Sequence, residues 1–153
     1  MNTRTGLMHR TLALALLLGM AAAPLVVAGD HETGDVALDG YCPVAYAAMG
    51  KAVKGDPKFA SEFHGTTYYL ANGKAKKMFD KAPQEFVVAY DGWCATGMAH
   101  GMKVESDPTA FVVRDGKTYL FSNEEAKAMF TNDAAGVIAK ADENWPAAAH
   151  QGH

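Results

Sequence analysis

The segment Cys94-Ala-Thr-Gly-Met-Ala-His-Gly-Met102 places a thiol, two thioethers and an imidazole within one short stretch of a chain that has only 2 cysteines. Thiolate, thioether and imidazole are donors that suit copper, Cu(I) above all. The second thiol, Cys42, lies upstream in Gly40-Tyr-Cys-Pro-Val-Ala-Tyr46. If Trp93 to His100 is helical and stops at Gly101, Cys94 and Met98 stand one turn apart on one face. His100 then points roughly the opposite way and Met102 lies beyond the helix. An extended chain would instead align Met98, His100 and Met102. The preferred site is Cys94 with Met98, joined by Cys42 from a helix opened by Pro43, and completed by His100 or Met102 where the chain bends back. Two thiolates and a thioether form a soft, low-coordinate set that selects Cu(I) over Zn(II). Affinity should fall at acid pH, because thiolates must form before they bind.

Other roles compete for the same residues. Met98 and Met102 can simply fill a core, and His100 can be an exposed polar residue. Cys42 and Cys94 can form a structural disulfide, since the cysteine count is even and the chain reads as exported. A site alternating between disulfide and Cu(I)-dithiolate would satisfy both readings. His64 carries less weight, because a polar residue beside Gly65 suits a turn.

Residues 1–28 read as a signal peptide: a weakly basic start at Arg4, His9 and Arg10, an apolar run from Thr11 to Val27, and small residues at Val26-Val-Ala28. The apolar run is short for a spanning helix and is interrupted by Pro24. A periplasmic or secreted protein without membrane insertion after leader removal is the expectation. Loss of Arg4 and Arg10 from 14 basic residues leaves 12 against 17 acidic ones, a formal charge of −5. Such a balance does not describe a nucleic-acid surface. The remaining length, about 125 residues, suits one domain with a real core. Cleavage after Ala28 would expose Gly29-Asp30-His31, whose amine, two amides and imidazole form a square-planar nitrogen set for Cu(II) or Ni(II). His31 is therefore a candidate for a separate N-terminal site, and His150 and His153 add imidazoles at the other end.

The elements that must position these residues are short. Residues 29–35 form a tether, and Pro43 opens a helix ended by Gly50. Gly55-Asp-Pro57 reads as a turn. Phe59 to Phe63 and Thr66 to Ala71 form a hairpin around His64-Gly65. Asn72 caps a helix through Lys81, and Pro83 opens another through Val88. The runs flanking Asp115-Gly116 form a second hairpin. Ser122-Asn123 caps a helix from Glu124 to Phe130, and a last helix from Ala134 to Asn144 stops at Trp145-Pro146. Residues 147–153 read as a flexible tail. No repeat and no second domain is evident.

In this order, these elements resemble the longer exported members of the YHS-domain family. The matching pieces include Gly40-Tyr-x-Pro-Val-Ala-Tyr46, Gly50-Lys-Ala-Val-Lys-Gly55, Phe63-His-Gly-Thr-Thr-Tyr69, Tyr90-Asp-Gly-Trp-Cys94, Asp107-Pro108, Gly116-Lys-x-Tyr-Leu120 and Ala139-Lys-Ala-Asp-x-Asn-Trp-Pro146. The resemblance implies an α+β fold, a small single domain of antiparallel β-hairpins packed with short helices, over residues 36–146. Metal binding is attributed to the shorter YHS modules, where cysteines coordinate copper or other heavy metals, whereas the long exported type has mostly no assigned function. Those cysteine positions are occupied here by Ala45 and by Ala71-Asn72, so that metal site does not transfer. Long relatives commonly carry Asp where Cys42 stands.

Catalysis has little support. No triad spacing, nucleophile elbow or phosphate-binding glycine loop is present, and a Cys94/His100 pair lacks an identifiable group to orient the base. The expectation is a non-enzymatic exported protein that binds a soft metal, copper first, for storage, delivery or sensing, with a periplasmic metal-handling protein as partner. The alternative is a disulfide-stabilised (Cys42–Cys94) domain that binds a small ligand or a partner protein.

Overall fold

A leader, tether and N-terminal copper motif would all fall before residue 36; the computed structural model describes residues 36–150, so these readings, and His153, lie outside the described residues. The described chain is an α+β fold with two antiparallel two-stranded sheets and five α-helices. It opens on a tight turn, Ala37–Gly40, in which Leu38 and Asp39 take φ of 59° and 48°. Helix α1 (Pro43–Met49) follows, with proline in its first turn, where an amide proton would have no helical partner, and Gly50 at φ 59° ending it. Strand β1 (Asp56–Phe63) pairs with β2 (Thr66–Leu70) across His64-Gly65, both at positive φ, the backbone that suits a two-residue hairpin. Asn72 then caps α2 (Gly73–Lys81) by accepting from the amides of Lys74 and Ala75, each at 3.0 Å.

The same sequence of elements is then repeated. A tight turn at Ala89–Gly92 holds Tyr90 and Asp91 at φ 55° and 49°. Helix α3 (Ala95–Ala99) follows and ends before Gly101 at φ 72°. Strands β3 (Asp107–Arg114) and β4 (Lys117–Phe121) turn at Asp115-Gly116, and Asn123 caps α4 (Glu124–Asn132). The two hairpins share a register. Asp56 faces Leu70 and Ala60 faces Tyr69 across a bulge, just as Asp107 faces Phe121 and Phe111 faces Leu120. In each bulge the aspartate carboxylate accepts from the amide two residues on, Lys58 at 2.9 Å and Thr109 at 2.8 Å. Even the cap residues match, Asn72 and Asn123 both having φ −168° and ψ 175°. The expectation of no repeat is thus corrected: the chain is an internal duplication, and Cys42 and Cys94 occupy equivalent positions in it. Each cysteine amide donates to a valine carbonyl, Val53 at 2.8 Å and Val104 at 2.9 Å.

Each repeat buries its own core. Tyr68 packs on Phe79 at 5.0 Å and Tyr119 on Phe130 at 5.1 Å, at similar tilts of 40° and 37°. A third cluster, Tyr46, Val88 and Leu120 with Leu38, Tyr41 and Phe111, joins the two. The Tyr46 hydroxyl crosses it to donate to the carbonyl of Pro108 at 2.8 Å.

Helix α5 (Ala134–Ala149) has no counterpart in the first repeat and packs on the second. Ala134, Ala141 and Ala148 recur every seven residues, two helical turns, and all three are buried in the second core. That seam corrects the expected stop at Trp145-Pro146. Pro146 cannot donate to the carbonyl four residues back, but burial of Ala148 carries the helix past it, so Ala147–Ala149 belong to α5 and not to a tail. Two further expectations change. Pro83 opens only a single 3-10 turn, Pro83–Glu85, and Asp56-Pro57 begins β1 instead of forming a separate turn. The aspartate's own side-chain bond to Lys58 supplies the turn-like feature inside the strand.

Candidate functional site

Cys94 is the N-cap of α3, and its sulfur accepts from the Gly97 amide at 3.4 Å and donates to the Ser122 hydroxyl at 3.7 Å. One turn on, the Met98 amide donates to the Cys94 carbonyl at 2.8 Å. Cys94 is 1% exposed and Met98 is fully buried, both in the core of the second repeat, and Ala95, Thr96 and Gly97 between them are buried as well, so this short helix is enclosed on more than one face. The helix is held from several sides. Thr96 Oγ1 donates to the carbonyl of Ala126 in α4 at 2.8 Å. Asn144 Nδ2, from α5, donates to the carbonyls of Met98 and Ala99 at 3.0 and 3.2 Å, satisfying the open end of the helix. Gly97 lets the segment after the helix close over it, since a Cβ there would stand 2.9 Å from Val104 Cγ2.

The other expected donors lie elsewhere. Cys42 is fully buried among Tyr68, Leu70 and Phe79 of the first core, whereas Cys94 lies in the second with Tyr119 and Phe130. Both thiols are free, so the Cys42–Cys94 disulfide is not formed. Duplication explains this arrangement: each cysteine begins the helix of its own repeat and faces its own core. His100 is the exposed C-cap of α3, and Met102, 53% exposed, lies past Gly101. The five-residue set Cys42, Cys94, Met98, His100 and Met102 is therefore not gathered in one place, and only Cys94 and Met98 belong to the same buried core. Among the described residues no group of three or more His, Cys, Asp or Glu is placed to hold a metal ion. The position equivalent to Met98 in the first repeat is Tyr46, so Cys42 has no thioether one turn along its own helix.

Two features had not been singled out from the sequence. Ser122, read only as part of a helix cap, stands beside the Cys94 sulfur. A cavity of about 290 Å³ lies where the second repeat meets α5, lined by Tyr90, Asp91, Lys117, Tyr119, Asp142 and Trp145 among others. The Tyr90 hydroxyl donates to Asp142 Oδ1 at 2.9 Å. Burial first, and then that carboxylate, holds the Tyr90 phenol well above its ordinary value. Burial, followed by Asp142 and Asp115, raises Tyr119 as well. No helix among the described residues is long and apolar enough to cross a membrane. No protein-family model, curated protein or solved structure matches the chain.

Proposed function

We propose that this is a non-enzymatic, exported YHS-type protein that binds Cu(I) through Cys94 and Met98, for storage, delivery or sensing. The observation that carries the reading is the burial of both sulfurs in the core of the second repeat, Cys94 as the N-cap of α3 and Met98 four residues on. A thiolate and a thioether shielded from water are soft donors of the kind that favour Cu(I). On binding, the Cys94 thiol releases its proton to solvent and the thiolate takes the metal, so uptake weakens as pH falls. Cys42 is a core residue of the first repeat in this reading, and His100 and Met102 lie on the surface, where they can meet a metal-handling partner.

The test is a competition titration of the reduced protein with Cu(I) against a chromophoric chelator. Cys42→Ser should keep one tight site, and Cys94→Ser should lose it. Met98→Leu, which roughly preserves volume while removing sulfur, should weaken binding at least about tenfold, the scale on which loss of a supporting metal contact is felt. No uptake by the reduced protein, or equal loss in Cys42→Ser and Cys94→Ser variants that remain folded, would refute the site.

A further inference from the structure

We propose that the hollow between the second repeat and α5 binds a small organic ammonium cation. It shares no residue with the Cys94–Met98 pair and stands or falls separately from the copper reading. Three aromatic rings and two carboxylates meet there against one lysine. Tyr90 contacts both of the other rings, 5.9 Å from Trp145 at 66° and 6.1 Å from Tyr119 at 50°, so its plane is inclined to each of theirs. Aromatic faces attract cations through their quadrupole, and more strongly where water is excluded. Tyr90 and Tyr119, which line the hollow, are both buried.

The carboxylates give the hollow its sign. The Tyr90 hydroxyl fixes the orientation of Asp142 through Oδ1, and Asp91, next to Tyr90 in the turn at φ 49°, also lines the hollow. Two acids against Lys117 leave a net negative wall. The volume, about 290 Å³, lies at the small end of ligand sites and suits a compact cation.

Internal duplication supplies a comparison within the same chain. Where the first repeat has Leu38, Asp39, Thr66 and Tyr68, the second has Tyr90, Asp91, Lys117 and Tyr119. The shared aspartate and tyrosine belong to the common scaffold. Tyr90 is new, its hydroxyl reaches Asp142, and both Asp142 and Trp145 come from the one helix that the first repeat lacks. The hollow is thus a feature added to the duplicated frame, not one inherited by it.

The full chain would be titrated with tetramethylammonium and choline, followed by calorimetry and by the indole N–H signals of Trp93 and Trp145. Saturable binding with a shift at Trp145 and none at Trp93 is expected. The neutral isostere 3,3-dimethylbutanol should bind at least about tenfold more weakly, because it fills the same space without the charge. Asp142→Asn and Trp145→Leu should each weaken choline binding by a similar factor, while Lys117→Ala should keep or tighten it. Absence of binding at millimolar choline, equal binding of the neutral isostere, or an unchanged Trp145 signal in the wild-type protein would overturn the proposal. The last two readouts use the wild-type chain, so they decide the matter even if a variant fails to fold.

Discussion

Tyr46→Phe removes one hydroxyl from the seam between the repeats and nothing else. The phenol is fully buried, its ring packs 4.8 Å from Phe111, and its hydroxyl donates to the Pro108 carbonyl at 2.8 Å. Phenylalanine keeps the ring and its packing. What is lost is a net hydrogen bond of about 0.5–1.5 kcal/mol, plus part of the desolvation cost of a carbonyl left without its donor, about 1–3 kcal/mol. Pro108 falls in the bulge between Asp107 and Phe111, where the ladder register shifts, so no regular strand pairing replaces that donor. A loss of about 2 kcal/mol follows, read as a lower urea midpoint with an unchanged m-value. For a chain of this size the melting temperature should fall by about 8 °C.

The same hydroxyl has a pH signature. Burial, aided by Tyr41 and nearby acids, raises the Tyr46 pKa above its ordinary 10.0. The folded value exceeds the unfolded one, so stability is intact below pH 10 and declines above it, by up to about 1.4 kcal/mol per pH unit for this group. Tyr46→Phe should reduce that alkaline slope. A stability loss under about 0.5 kcal/mol at neutral pH, together with an unaltered alkaline limb, would refute the role of this bond in joining the repeats.

Three further outcomes can be checked by the same denaturation measurements. Asn72→Ala and Asn123→Ala should each cost about 1 kcal/mol, with Asn72 the costlier because its side chain accepts from two amides and Asn123 from one. Hydrogen bonds from Ser61 and then Lys76 depress the Asp80 pKa below 3.8. Its contribution is therefore present above the ordinary carboxylate value and lost as pH falls through the depressed one, so Asp80→Asn should flatten the acid limb. The effect should be small and should shrink with added salt, since this i,i+4 pair is largely exposed.

Several elements could be read from the sequence because local chemistry alone determines them. Asp115-Gly116 and His64-Gly65 tolerate the positive φ that a two-residue hairpin needs, and the asparagines at 72 and 123 carry the side-chain acceptor that begins a helix. The helix expected from Trp93 to His100 forms only as Ala95–Ala99 with Cys94 as its N-cap, and Ala95, Thr96 and Gly97 are buried along with Cys94 and Met98, so the helical period did not by itself single out their face. Duplication was harder to see. Ala37-Leu-Asp-Gly-Tyr-Cys42 and Ala89-Tyr-Asp-Gly-Trp-Cys94 are 52 residues apart, but Asn72 and Asn123 are 51 apart. The slip lies between the cysteine and the glycine that closes the helix, Gly50 in one repeat and Gly101 in the other, so no fixed period aligns both ends.

The separation of Cys42 from Cys94 was decided by tertiary structure. Two thiols in one chain suggest a pair, but equivalent positions in two repeats point each into its own core. The extent of α5 was decided the same way, because burying Ala148 beside Ala134 and Ala141 outweighs the local preference of Pro146 to end a helix. So, too, was the hollow at Tyr90, whose walls come from segments 52 residues apart along the chain, Tyr90 and Asp142, and meet only when α5 packs on the second repeat. Sequence determined what adjacent residues impose on one another through backbone conformation and helical period. Packing determined which faces meet, because burial sums over contacts between residues distant in the chain, and that sum has no local signature.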